Sequence, residues 1–285
     1  MPEIHELSDL TRRMRYDVLD MTGKWGGHPS SCFSAVEIMT ALFFGGILRY
    51  HPDDPGWPER DRFILSKGHA APLLYSVLAR AGYAPVEDLQ RFRQRGSGLH
   101  GHPIQGTFPG VEMTSGSLGQ GLSFGLGQVL AGRLSSLDYR VFVLMGDGEC
   151  EEGQVWEAAM AAAHYRADRL IAIVDHNKYQ QTGPISREMS LAPLANKWRE
   201  FGWNVAEADG HDLGAVIAAL RGMAPTPNPS PEHRGGEPRP SVLIAHTIKG
   251  KGVSFMEADY TFHGRPLAPE QDVRARAEIA RGDEW

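Results

Sequence analysis

Val141-Phe142-Val143-Leu144, then Gly146-Asp147-Gly148, then Leu170-Ile171-Ala172-Ile173-Val174 with Asn177 just behind it, decides the fold. The first and third runs are short and apolar without alternation, as expected of strands covered on both faces. Between them an alanine-rich stretch from about Val155 to Arg166 predicts a helix. Strand, helix, strand is a crossover unit and implies a parallel sheet.

Working outward, Leu7, Leu10, Met14, Val18 and Met21 recur at helical spacing and predict an amphipathic helix over Ile4 to Met21. Further helices are expected from about Phe33 to Leu48, Ala71 to Ala81 and Leu213 to Leu220. Later strands are expected near Asn204–Ala206 and Val242–Ala245. The glycine-rich residues 96–127 read as loops leading into a close-packed helix. The predicted class is α/β, a doubly wound, mostly parallel sheet flanked by helices. Residues 224–240 hold six prolines and two adjacent glycines, which predicts a surface insert. Only 45 residues follow it, so the expectation is one domain over residues 1–285 carrying one insert.

Composition narrows the partners. A formal charge of −6, with 35 acids against 29 bases, argues against nucleic-acid binding. Two cysteines, Cys32 and Cys150, are too few for a disulfide framework and fit a reducing compartment. The N-terminus lacks the basic-then-apolar order of a signal peptide, and Phe33 to Leu48 contains Glu37 and is too short to span a membrane. A cytoplasmic protein with no membrane partner is expected.

Ligands of open α/β sheets collect at the carboxyl ends of the strands. Asp147 ends one strand and Asn177 follows the next, so a carboxylate, an amide oxygen and a nearby backbone carbonyl share one edge. These are hard oxygen donors, suited to Mg²⁺ that shares its other positions with phosphate oxygens. Gly146 and Gly148 allow close backbone approach, and a helix N-terminus is expected to follow. Glu149, Glu151 and Glu152 crowd that helix start: either a divalent ion balances them or some point elsewhere.

Gly146-Asp147-Gly148, 28 residues, then Asn177 resembles the thiamine-diphosphate motif. The flanking segments Gly27-His28-Pro29, Ser66-Lys67-Gly68-His69-Ala70, Gly101-His102-Pro103, Gly110-Val111-Glu112, Gly116-Ser117-Leu118-Gly119-Gln120-Gly121 and His263-Gly264 occur in the order of the transketolase family. They cover about residues 20–265, so the resemblance is to that family's N-terminal, thiamine-diphosphate-binding domain. It implies that Asp147, Asn177 and the main-chain carbonyl of Tyr179 hold Mg²⁺, or another divalent cation such as Ca²⁺. It implies that Gly146, Gly148, Asn177, His69 and His263 contact the cofactor's diphosphate side, and Gly116 and Leu118 its aminopyrimidine end. Glu152 would reach toward a glutamate of a partner. His28, His102 and His263 would serve the reacting oxygens and the donor's hydroxyl, and His100 is left out of the site.

The family completes its site with a second, pyrimidine-binding domain, which the 22 residues after His263 are too few to form. A separate C-terminal transketolase subunit is therefore expected, as an α2β2 assembly acting on sugar phosphates and inactive without that partner. Rival readings are the corresponding half of a 2-oxoacid dehydrogenase or of a deoxyxylulose-phosphate synthase, or a silent assembly subunit. A nicotinamide-binding domain lacks its GxGxxG after a first strand. Cys150 is read as structural, since neighbouring acids raise its pKa. Lys67 and Lys249–Lys251 could meet phosphates, but the favoured reading of each is a solvated lysine.

Overall fold

The computed structural model describes residues 2–223 and 238–282. Five parallel strands build the sheet: β1 (Arg62–Leu65), β2 (Val141–Gly146), β3 (Leu170–His176), β4 (Asn204–Asp209) and β5 (Ser241–His246), in the order β1-β2-β3-β5-β4. The register sets Gly146 beside Asp175, Asp175 beside Ala245 and His176 beside His246. The carboxyl ends of β2, β3 and β5 are thus level, which gives the loops that follow them a common edge.

Each central strand splits its side chains between two cores, as a pleat with period two requires. Phe142, Leu144, Ile171, Ile173, Leu243 and Ala245 enter one core. Val141, Val143, Met145, Leu170, Ala172, Val174, Val242 and Ile244 enter the other. Both faces are dry, which is why these runs carry no alternating polar residue.

Ten helices flank the sheet among the described residues: α1 (Ile4–Trp25), α2 (Pro29–Phe33), α3 (Val36–Phe44), α4 (Ala71–Arg80), α5 (Gln120–Leu134), α6 (Gly153–His164), α7 (Ile185–Glu188), α8 (Leu194–Glu200), α9 (Leu213–Met223) and α10 (Pro269–Arg281). Helices α1, α3, α4, α9 and α10 pack on the first core, and α5, α6 and α8 on the second. The split follows from crossover handedness. The chain advances from β2 to β3 through α6 but steps back from β4 to β5 through α9, so right-handed connections put these helices on opposite faces.

The helix expected over Phe33–Leu48 is the shorter α3. Phe33 instead ends α2, which Pro29 starts at a position that tolerates its missing N–H; the chain breaks at Ser34-Ala35, and Gly45-Gly46 ends α3 before Leu48. Strand β1 and helix α10 had no counterpart in the sequence reading. Residues 224–237 of the proline-rich insert lie outside the described residues. Among the described residues no helix is long and apolar enough to cross a membrane.

Candidate active site

The loops after β1, β2, β3 and β5 enclose a cleft of about 450 Å³, lined among others by Lys67, His69, Asp147, Asn177, Lys249 and His263. Asp147 is 1% exposed. Its Oδ1 accepts from Gly148 N at 2.8 Å and its Oδ2 accepts from Lys178 N. Across the adjoining strand end, Asn177 Oδ1 accepts from Tyr179 N at 3.1 Å, and its amide donates to Asp175 Oδ2 at 3.3 Å. Lys178 takes φ +70, the left-handed turn that lets the chain double back at this point. Gly146, Gly148, Leu118, Glu152 and Tyr179 also line the cleft. A methyl added at Gly146 meets no heavy atom within 4 Å, so the backbone there faces open space.

A 3-10 turn, Gly148–Glu151, follows β2, and α6 starts at Gly153, close to the start expected near Val155. This turn also relieves the acidic crowding. Glu149 swings inward, is 2% exposed, and accepts from Ser66 Oγ, from Gly119 N at 2.9 Å and from Gly146 N at 3.1 Å. Burial pushes its carboxyl above the usual range despite those donors. Glu152 stays exposed at the mouth, against Gly119.

Four histidines converge on the same edge. His28 lies 5.4 Å from His69, 6.2 Å from His102 and 5.2 Å from His263, ring centre to ring centre, and His69 lies 5.2 Å from His263. Gly116 sits against His102, whose ring would be 3.3 Å from an added Cβ. His28 Nδ1 is buried without a hydrogen-bond partner on the protein. Burial, then the charges of Lys249, Lys67 and Arg93 and the neighbouring imidazoles, lower all four. His28 falls to about 4 and His263 to about 3. The cluster is therefore neutral at pH 7, able to accept a proton at one ring nitrogen and donate at the other.

The sequence reading of the lysines needs correction. Lys67 and Lys249 are each 1% exposed, while Lys251 is half-buried. Lys67 Nζ pairs with Asp175 and donates to Ser31 O at 3.0 Å. Lys249 Nζ donates to Ser31 Oγ at 2.9 Å and lies 3.2 Å from His263 Nδ1. Burial and the Lys67 charge depress Lys249 to about 8. Ser31, Asp175 and Thr247 complete this floor and were likewise missed. The clue for Lys67 was its place two residues after the apolar Phe63-Ile64-Leu65, a strand too short to recognise. Cys150 is buried, and its thiol is pushed up first by burial and then by Glu149 and Asp147.

The donor chemistry fits a hard divalent ion beside a diphosphate. Among the described residues no three His, Cys, Asp or Glu side chains gather as a metal cage. One carboxylate, one amide oxygen and one carbonyl suit Mg²⁺ that completes its shell with phosphate oxygens and water.

The family model for the transketolase thiamine diphosphate binding domain matches residues 6–281. The chain belongs to that family. As a transketolase-family domain it is 40% identical over 264 residues to the 6-deoxy-6-sulfo-D-fructose transketolase subunit SqwG of Clostridium sp. (strain MSTE9), covering 92% of each chain. It is 39% identical over 251 residues to one of the subunits of the apulose-4-phosphate transketolase of Phocaeicola vulgatus, covering 88% of this chain and 85% of that one. The crystal structure of Campylobacter jejuni transketolase superposes with a TM-score of 0.87 at 29% identity, over 98% of this chain and 43% of that one. The transketolase-family chain thus spans less than half the length of that enzyme.

Proposed function

We propose that this chain is the cofactor-diphosphate subunit of a thiamine-diphosphate- and Mg²⁺-dependent transketolase, moving a two-carbon ketol unit from a ketose phosphate to an aldose phosphate. The observation that carries the proposal is the cluster of His28, His69, His102 and His263, of which His69 and His263 line the cleft that holds Asp147 and Asn177. In this reading Asp147, Asn177 and the Tyr179 carbonyl hold the divalent ion, with Ca²⁺ able to replace Mg²⁺. Gly146, Gly148, Asn177, His69 and His263 receive the diphosphate, joined by Lys249 and Ser31. Gly116 and Leu118 lie against the aminopyrimidine end.

When bound, the cofactor supplies the electron sink that lets a carbon–carbon bond beside a carbonyl break. The chain's own part is proton handling and charge. A sugar hydroxyl loses its proton as that bond breaks, and neutral His28 can take it; His263, whose Nδ1 faces the Lys249 ammonium, offers its other nitrogen as a donor to the reacting oxygen, and His102 holds the donor's hydroxyl. Their N–H groups then face the oxygen on which negative charge develops.

A second chain carrying the pyrimidine-binding domain completes the site, with Glu152 at the mouth meeting an acidic group of that chain. Both of these relatives are named as transketolase subunits, which supports this division. An α2β2 assembly is the arrangement we favour. The same names favour ketol transfer over the 2-oxoacid dehydrogenase and deoxyxylulose-phosphate synthase readings.

The test mixes the purified chain with thiamine diphosphate, Mg²⁺, a ketose phosphate and an aldose phosphate, with and without the second chain. Transfer is expected only with both chains. Full transfer by this chain alone refutes the division of labour. Decarboxylation of 2-oxoacids in place of ketol transfer refutes the reaction. Unchanged turnover when Asp147→Ala replaces the wild type in the complex makes this a silent subunit.

A further inference from the structure

We propose that His211 is a positioning residue which, with Glu37 and Arg15, clamps the loop Ile248–Lys251 at both ends and so keeps the Lys249 ammonium in the cleft. The significance of Lys249 for the diphosphate rests on the function proposed above; the clamp itself does not.

His211 sits between β4 and α9, outside every segment read as functional. Its Nε2 accepts from Ile248 N at 2.8 Å and its Nδ1 lies 3.0 Å from Glu37 Oε2. A backbone amide can only donate, so Nε2 carries no proton and Nδ1–H must donate to Glu37. The far oxygen of Glu37 pairs with Arg15 Nη2 at 2.8 Å, and Arg15 Nε donates to Lys251 O at 3.2 Å. One continuous chain of side chains therefore holds the N–H that opens the loop and the carbonyl that closes it. Side-chain exposures of 8% for Arg15, 9% for Glu37 and 13% for His211 place the chain out of bulk water, where its bonds are strong and its loss leaves orphaned groups. Burial alone would raise the Glu37 carboxyl, but Arg15 and His211 hold it below the usual range.

Lys249 has reason to leave. Its ammonium is desolvated and faces the like charge of Lys67, and a lysine stem has rotamers enough to reach solvent. Three further contacts, Gly250 N to Ser30 O at 3.0 Å, Ala258 N to Lys249 O at 2.9 Å and the Ser31 Oγ contact, steady its middle. The two end ties fix where the stem begins.

The test compares wild type, His211→Phe and His211→Gln as full chains. It reads hydrogen–deuterium exchange over residues 247–252 and acylation of Lys249 by an N-hydroxysuccinimide ester at pH 7, located by peptide mass. For His211→Phe both are expected to rise about tenfold, as one local tie opens, while β2 and β3 exchange as in wild type. His211→Gln, whose side-chain oxygen can accept from Ile248 N, should fall between, and it carries the test if the Phe variant does not fold. Unchanged exchange and unchanged acylation in either folded variant overturn the clamp. A separate arm adds thiamine diphosphate with Mg²⁺ to the wild-type complex: protection of Lys249 from acylation is expected. Its absence overturns the diphosphate reading of the cleft and leaves the clamp result standing.

Discussion

Lys67 and Asp175 form an ion pair whose side chains are 1% and 0% exposed, directly beneath the cleft. Asp175 also accepts from Ser34 Oγ at 2.6 Å, from Thr247 Oγ1 and from the Asn177 amide, so one carboxylate ties α2's C-terminal cap, the end of β5 and the proposed metal ligand together. Burial alone would push Asp175 up; the Lys67 ammonium and these donors hold it below the usual carboxylate range.

Removing one partner leaves a bare charge in a dry core. Lys67→Met or Asp175→Ala should each cost about 3–5 kcal/mol in urea unfolding. The double change Lys67→Met, Asp175→Leu should recover part of that stability. It should not recover thiamine diphosphate binding, because the Asn177 amide loses its acceptor. A double variant that binds the cofactor like wild type would show that the pair orients nothing.

The depressed histidines fix the sign of a pH effect. A group protonated more readily unfolded than folded destabilises the fold as pH falls between its two pKa values. For His28 and His263 that window opens near the ordinary histidine value of about 6.5 and runs down to about 4 and about 3. Stability is fully present above the window and is lost progressively within it. Urea midpoints measured from pH 7 to pH 4 should fall less steeply in His28→Gln and His263→Gln than in wild type. Parallel curves would sink the assignment of acid lability to this cluster.

The fold was legible because both central strands, Val141–Gly146 and Leu170–His176, open on uninterrupted apolar runs over 141–145 and 170–174 and flank an alanine-rich helix. Strand β1 was not: four residues beginning at an arginine carry too little pattern, and its identity comes from pairing with β2. Helix α10 buries only Ala275, Glu278 and Ile279 along a charged sequence, so its apolar stripe is thin. At the site, Asp147, Asn177 and the histidines beside glycines could be named from local spacing. Lys67, Lys249 and Asp175 could not, since their burial depends on contacts such as Lys67 with Asp175 that span 108 residues.

Glu149 is a brace that the sequence presented as one of three crowding acids. Its two oxygens take three donors, from Ser66, Gly119 and Gly146, and so hold the start of α5 against the end of β2. In Glu149→Gln the new amide must face a donor N–H, and a buried unsatisfied donor costs about 1–3 kcal/mol. Urea unfolding should show that loss, and hydrogen exchange should rise over residues 115–121 ahead of the sheet. Loss of stability without faster exchange there would reduce Glu149 to an ordinary core contact.

Asp147 separates metal binding from folding most cleanly. Its carboxylate already accepts from Gly148 N and Lys178 N in the protein alone, so an isosteric amide keeps the outline of the turn but loses the charge and one acceptor. Asp147→Asn should therefore unfold within about 1–2 kcal/mol of wild type, the scale of one lost acceptor. Wild type, titrated with thiamine diphosphate in the presence of Mg²⁺, should gain about 2.7 kcal/mol at a ligand concentration one hundred times Kd. In the variant that gain should disappear and should not return with Ca²⁺, because neither the Asn177 amide nor the Tyr179 carbonyl carries a charge to replace the one lost. A variant stabilised as much as wild type by cofactor and metal would place the ion elsewhere and remove Asp147 from the site.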